Sequence, residues 1–199
     1  MTNGVLIGLG LSAAAGLNAW VVLLLFEALY FVVPQEFGGS TVALLSTQAV
    51  LTAAIVLFLA EFVADKIPIV DHMWNLVQTI LRPVVGALLA LSVVADPTPA
   101  GRIGLAAAGA AATLLTHLVK TTTRLTSTAA TRGLAQVAVS LAEDLLAVML
   151  GALVFFIPWF SWVLLGGLVL LLIVERRRVA RGLAVMFFRL KHPRRARPA

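Results

Sequence analysis

Long apolar stretches, separated by short polar or turn-forming stretches, make up almost the whole chain as far as residue 174. A transmembrane helix needs about 20 mostly apolar residues to cross a hydrocarbon core of roughly 30 Å. The pattern therefore predicts an all-α fold, a polytopic transmembrane helical bundle formed by residues 1–174 with about six membrane segments. The predicted segments cover residues 3–33, 41–64, 73–94, 103–119, 134–157 and 160–174.

The first apolar stretch, residues 3–33, is longer than one crossing requires. It is either one tilted helix or a helix broken near Gly16, and the sequence leaves both alternatives open. Asn18 is expected near the middle of the membrane, where its amide needs a partner. Small residues recur every fourth position at the start of the stretch and predict a face for close helix packing; they are Gly4, Gly8, Ser12 and Gly16.

The most polar of the separating stretches, EFVADKIPIVDHMWNLVQTILRP at residues 61–83, predicts the cytoplasmic turn of a membrane hairpin. Pro68 disfavours helical backbone in the residue before it and removes a donor, so the preceding helix is expected to stop there. Asp71 is the expected N-cap of the next helix, and Trp74 is expected at the membrane interface. Two further links, residues 95–102 and the threonine-rich residues 121–133, are predicted to be turns or linkers.

Composition strengthens the membrane interpretation. Hydrophobic residues make up 61% of the chain, charged residues only 12%, and the mean hydropathy is +1.03, which is far outside ordinary soluble usage. The first stretch lacks a basic leader and is too long for a cleaved signal peptide, so it is expected to stay in the mature protein. The chain has no cysteine, which excludes disulfides, thiol catalysis and cysteine metal sites.

Basic residues are distributed unevenly over the predicted links. Across six crossings, fourteen of the 15 lysines and arginines fall on one side and Arg102 stands alone on the other. The positive-inside rule then predicts a multi-pass protein of the plasma (inner) membrane with both termini cytoplasmic. Residues 175–199 form a basic tail, interpreted either as an interfacial amphipathic helix on anionic lipid or as a topology anchor with a disordered end. No nucleic-acid partner is expected.

Six ionisable residues fall in or near the predicted membrane segments: Glu61, Arg82, His117, Lys120, Glu143 and Asp144. Because a charge at the centre of a bilayer costs about 2.5 to 3.5 kcal/mol on insertion scales, such residues are expected to pair or to face water. If the second and third segments and the fourth and fifth form two parallel hairpin repeats, Glu61 would pair with Lys120, and Arg82 with Glu143 or Asp144. The set indicates either a polar path for an ion or a structural ion-pair network.

Sequence motifs for catalysis are lacking. No nucleophile-elbow, zinc-protease, nucleotide-binding or kinase pattern occurs, and the three histidines at 72, 117 and 192 do not have metal-site spacing. No cofactor or metal is expected, and an enzyme is the less favoured class.

Three blocks carry a resemblance to a known family. They are LGLSAAAGLNAW (9–20), EFVADKIPIVDHMWNLVQTILRPV (61–84) and GLAQVAVSLAEDLLAV (133–148). They resemble a bacterial integral membrane family catalogued only as a domain of unknown function, number four-one-two-six, over about residues 1–160. The resemblance implies a polytopic membrane protein without an established activity. It directs attention to Asn18, Glu61, Asp65, Lys66, Asp71, Trp74, Arg82, Glu143 and Asp144.

Two functions fit these observations. The first is a small transporter or channel-like protein with a buried charged path, for an ion or solute that the sequence does not identify. The alternative is a non-transporting scaffold or accessory protein, whose small-residue face and basic tail bind partner helices and anionic lipid. The lipid bilayer is a partner in either case, and a homo-oligomer is expected for the first function.

Overall fold

A computed structural model describes residues 2–64, 68–95, 98–131 and 136–174, and this part of the chain contains helices and no strand. The predicted helical membrane bundle is therefore confirmed. The helices are α1 (Thr2–Ala15), α2 (Ala19–Val32), a short 3-10 turn (Pro34–Glu36), α3 (Val42–Leu45), α4 (Gln48–Ala64), α5 (Pro68–Ser92), α6 (Pro99–Thr131), α7 (Gln136–Phe156) and α8 (Phe160–Val174).

Three helices have spans long and apolar enough to cross a membrane by themselves. These spans are Met73–Ser92 in α5, Pro99–Thr123 in α6 and Val137–Phe156 in α7. The outward face of α5 is apolar and exposed, with Met73, Val77, Ile80 and Val84 on it, as expected of a helix that faces lipid. Four other apolar helices, α1, α2, α4 and α8, are shorter, between 10 and 17 residues.

Helix α1 lies at the centre of the bundle and packs against α5, α6 and α7. We call the end of the bundle where α5 ends at Ser92 the upper end, and the end where α4 ends and α5 begins the lower end. Gly4 lies against Val93 and Gly8 against Ala90, so α1 runs antiparallel to α5 and starts at the upper end. Because these residues lack a side chain, the two backbones approach closely.

Helices α1 and α2 form a re-entrant hairpin instead of one crossing. Along α7, Asn18 is bonded to Asp144, and Leu25 lies against Gly151, about two turns nearer the upper end. The chain after α2 is also at the upper end, since Gly39 N–H donates to Ser92 O at 2.9 Å. The chain therefore enters from the upper end, reverses at residues 16–18, which we call the tip, and returns to the same end.

The sequence leaves open whether the first stretch is one tilted helix or a helix broken near Gly16. The structure shows that it is broken near Gly16. Residues 3–33 therefore form two helices that pack side by side, where the sequence predicts one segment. An apolar run of that length fits one tilted crossing or two half-crossings equally well, and only contacts with other helices distinguish them. The first residues and the link at 33–41 therefore lie at the same end of the bundle.

Two local predictions were wrong. Asp71 does not cap α5, because the helix already begins at Pro68; proline is favoured at the first helical position, where its missing N–H costs no bond. The threonine-rich residues 121–131 are not a linker, since α6 continues to Thr131. The hydroxyls of Thr121, Thr122 and Thr123 each donate at 2.9 Å to a carbonyl three or four residues earlier, which satisfies them within the helix.

The predicted pair of hairpin repeats is only partly reflected in the packing. Helices α6 and α7, the second predicted hairpin, touch little, because α1 packs between them and contacts both. The strongest interface joins α5 and α6, one from each predicted hairpin. The basic tail, residues 175–199, lies outside the described residues, and the division of the chain at residue 174 stays a prediction.

Candidate functional site

The tip of the hairpin is a short stretch of non-helical backbone deep in the bundle. Helix α1 ends at Ala15 and α2 begins only at Ala19, so the residues between them are outside both helices. Asn18 begins α2: its side-chain oxygen accepts from the N–H groups of Trp20 and Val21, at 3.1 Å each, and its amide donates to Asp144 at 2.8 Å. Asn18 is therefore both the N-cap of α2 and a link to α7.

Two cations satisfy the carbonyl groups of the tip. Arg82 of α5 donates from Nη1 to the carbonyl oxygens of Gly16 and Leu17, and Lys120 of α6 donates from Nζ to Leu17 O. Positive charge is favourable here because the carbonyl end of a helix carries partial negative charge. Arg82 is fully buried and Lys120 is 3% exposed, so the contacts form away from solvent.

Glu61 of α4 contacts both cations. Arg82 Nη2 donates to Glu61 Oε1, and Lys120 Nζ lies 3.5 Å from the same oxygen. The other carboxylate oxygen accepts from Gln78 Nε2 at 3.0 Å. Lys120 also lies 3.3 Å from Glu143 Oε2 of α7, so four helices contribute to one network.

His117 of α6 completes this network, and its contacts fix the protonation of its ring. Its Nδ1 lies 3.1 Å from Arg82 Nη1. Because a guanidinium only donates, Nδ1 accepts and the ring proton lies on Nε2, which leaves the ring neutral. Nε2 is 3.0 Å from Thr79 Oγ1, whose hydroxyl donates to Asn75 O at 2.8 Å.

The structure places the six predicted ionisable residues in one region, which we call the charge cluster. Its members are Glu61, Arg82, His117, Lys120 and Glu143, with Asp144 joined through Asn18. Glu61 and Lys120 are within 3.5 Å, as the pairing hypothesis expects. Arg82 pairs with Glu61 instead of Glu143 or Asp144, because α1 occupies the space between α5 and α7.

Several residues of the site were not predicted from the sequence. The carbonyl groups of Gly16 and Leu17 carry no side-chain signal and become ligands only through the fold. Gln78 and Thr79 did carry a signal, because they are polar and lie about one turn before Arg82 within the membrane span of α5. Their partners in α4 and α6 depend on helix packing.

The small residues of α1 contact helices of the same chain. A side-chain carbon added at Gly4 would lie 2.6 Å from the backbone oxygen of Val93, just after α5, and one added at Gly8 would lie 2.7 Å from that of Ala90 in α5. Ser12 Oγ donates to Gly86 O at 2.7 Å, and Gly16 lies against the backbone of Thr113. This face is therefore covered by α5 and α6.

The remaining residues that the family resemblance singled out are less informative. Asp65 and Lys66 lie outside the described residues. Asp71 is within α5, and Trp74, also in α5, is half-buried with an indole N–H that has no hydrogen-bond partner.

Replacing Asn18 with alanine is expected to destabilise the protein by about 1 kcal/mol or somewhat more, because it removes an N-cap and leaves Asp144 without its amide donor. Asp144→Ala keeps the cap and removes only the link to α7, so a smaller loss is expected. Thermal unfolding in detergent measures both. Equal losses for the two variants would show that the cap contributes nothing.

Comparisons with known proteins give one result. Searches of curated proteins and of solved structures find no match. A family model described as "Domain of unknown function (DUF4126)" matches residues 5–178, a range that contains every residue of the charge cluster and all of the hairpin except its first three residues. The chain, a helical membrane protein with a re-entrant hairpin at its centre, therefore belongs to the DUF4126 family.

Proposed function

We propose that this protein is a small transporter or channel-like protein whose path passes through the charge cluster. One observation carries the proposal: the non-helical tip of the hairpin lies inside a membrane bundle and is held there by buried charges. Irregular backbone at membrane depth is tolerated only where it is buried in protein or lines a water-filled cavity. Buried ionisable residues in membrane segments typically mark the path of an ion or substrate.

The position of the cluster supports a path that is entered from the lower end. Arg82 lies midway along the Met73–Ser92 span, and Lys120 lies three residues before the lower end of the α6 span. Glu143 is partly exposed, with 14% of its side-chain surface accessible. Above the cluster the hairpin packs tightly against α5 and α6. The proposed resting state is therefore open below and closed above by the hairpin.

We propose an inner-membrane location with the lower end in the cytoplasm, because the basic residues of the α4–α5 and α6–α7 links and of the tail outnumber Arg102 at the upper end. The tail is then cytoplasmic, with anionic lipid as its proposed partner. Since the hairpin returns to the upper end, the N-terminus is placed on the opposite side, which revises the expectation of two cytoplasmic termini. The homo-oligomer stays a prediction.

The scaffold alternative has less support. It requires the small-residue face of α1 to bind helices of other proteins, but α5 and α6 of the same chain occupy this face. The exposed apolar faces that remain are those expected of helices in lipid.

Cysteine labelling tests the path, because the natural chain contains no cysteine. Thr79 and Ile80 are neighbours at the same depth of α5, but Thr79 contacts His117 whereas Ile80 is 73% exposed on the apolar face. In membrane vesicles, a membrane-impermeant thiol reagent is expected to label Thr79→Cys from the cytoplasmic side and to leave Ile80→Cys, in lipid, unlabelled. Protection of both in a folded protein would mean a dry ion-pair network and would contradict the proposal.

A further inference from the structure

The carboxylate of Glu61 is already occupied by donors from the protein. Its Oε1 accepts from Arg82 and lies 3.5 Å from Lys120 Nζ, and its Oε2 accepts from Gln78 at 3.0 Å. A metal cation would have to displace these groups to reach the oxygens. A proton needs no such space, because it can be passed along hydrogen bonds that already exist. The geometry therefore favours a proton over a larger ion.

Lys120 lies between two carboxylates that differ in exposure. Its Nζ is 3.3 Å from Glu143 Oε2 and 3.5 Å from Glu61 Oε1. Glu143 retains 14% of its side-chain surface, whereas Glu61 retains 1%. The three residues thus form a short sequence of proton-exchanging groups that leads from a partly exposed position to a buried one.

The groups in contact with Glu61 come from two other helices, and the tip lies behind the two cations. Helix α5 presents Arg82 and Gln78, α6 presents Lys120, with His117 reaching Arg82, and the tip presents carbonyl oxygens only. An arginine does not release its proton in proteins and an amide does not exchange one in this range. Within the described residues, Lys120 is therefore the group in contact with Glu61 that can exchange a proton with it.

We propose that the ion handled by the charge cluster is the proton and that Glu61 is the buried carboxylate that binds it, an inference that rests on the proposed function. A proton from the lower end binds the carboxylate of Glu143. Lys120 then transfers one of its protons to Glu61 and takes up the proton of Glu143. At the end Glu143 is again a carboxylate, Lys120 is again an ammonium, and Glu61 is a neutral carboxylic acid.

Protonation of Glu61 has a consequence for the hairpin. Arg82 and Lys120 are the two cations that hold the tip, and both share the negative charge of Glu61. When that charge is neutralised, the two cations repel each other without a counter-charge between them, and their hold on the tip weakens. Proton binding is thereby coupled to the position of the hairpin that closes the upper end.

Proton flux into proteoliposomes tests this inference, with an internal pH dye, an external acid pulse, and potassium with valinomycin to compensate charge. The wild-type protein is expected to acidify the lumen faster than protein-free liposomes do. Glu61→Gln is expected to lose this flux. Glu27→Gln is the matched control: it changes a carboxylate of α2 that lies outside the charge cluster, and it is expected to retain the flux.

A second variant separates proton transfer from structure. Lys120→Arg keeps the positive charge and the donors, but a guanidinium does not give up its proton. The proposal expects it to fold, as judged by its melting temperature in detergent, and to lose the flux. If the role of Lys120 were purely structural, the flux of Lys120→Arg would persist. If Glu61→Gln does not fold, Lys120→Arg alone decides.

Three other outcomes would overturn the inference. If a folded Glu61→Gln protein carried protons as fast as the wild-type protein, Glu61 would not be the residue that carries the proton. A second outcome is that the wild-type protein carries protons no faster than protein-free liposomes while Thr79→Cys is labelled. That result would reject the proton as the transported ion and leave the proposed function standing. The same lack of flux with Thr79→Cys protected would reject both.

Discussion

Arg82→Met is expected to lower the free energy of unfolding by about 3 to 5 kcal/mol, the range typical of breaking a buried ion pair by removing one partner. Methionine fills a similar volume but donates nothing. The carbonyl groups of Gly16 and Leu17 lose a shared donor, and Glu61 keeps only Lys120 and Gln78. The tip of the hairpin therefore loses part of what compensates its open backbone groups.

The measurement is the free energy of unfolding in mixed detergent and SDS micelles. Arg102→Met is the matched control, because Arg102 is exposed near the start of α6 and the same substitution should change stability little there. Arg82→Lys keeps the charge with a single donor group and should fall between the two. A loss for Arg82→Met no larger than for Arg102→Met would contradict a structural role of Arg82 at the tip.

Gly8→Leu is expected to be the second most damaging change, at about 3 kcal/mol, the upper part of the usual range for overpacking. A first side-chain carbon at Gly8 would lie 2.7 Å from the carbonyl oxygen of Ala90 and 3.1 Å from its Cα. Both are backbone atoms, which cannot rotate away as a side chain can. Helix α1 would have to move off α5, taking the tip with it.

Gly104→Leu provides the control for the same substitution in another helix. Nothing lies within 4 Å of the position that a side-chain carbon would take at Gly104. Leucine there should be neutral or slightly stabilising, since glycine costs a helix about 1 kcal/mol. Thermal unfolding followed by tryptophan fluorescence compares the two. Equal melting temperatures would mean that α1 and α5 do not pack closely at Gly8.

The sequence predicts some elements of the bundle closely. Residues 160–174 were predicted as a segment and form α8, which begins at the predicted residue because Pro158 and two tryptophans mark its start. The predicted segment at 134–157 corresponds to α7, which begins and ends within two residues of it. In both cases an apolar run of ordinary length is flanked by residues that stop a helix or prefer the interface.

The hairpin and the partner of Arg82 could not be predicted in the same way. Residues 3–33 have the composition of a crossing, and the reversal at the tip depends on cations that lie more than 60 residues further along the chain. Likewise, helix geometry indicates that Glu143 and Asp144 point in different directions, but not that α1 separates them from Arg82. The spacing of residues along the chain predicts the faces of single helices, whereas these contacts depend on how five helices are arranged around one another.

Arg82 and Lys120, the two cations that bind the tip, are synthesised long after it, and this order affects how the protein is assembled. Leu17 leaves the ribosome about 5 to 20 s before Lys120, at ordinary rates of synthesis. In the first part of that interval, until Arg82 is made, the open carbonyl groups of residues 16 and 17 have neither cation to bind, and until Lys120 is made they have only one. Bare backbone is unfavourable in lipid. The first helices therefore reach their final place only after α6 has been inserted, so the beginning of the chain is among the last parts to be assembled.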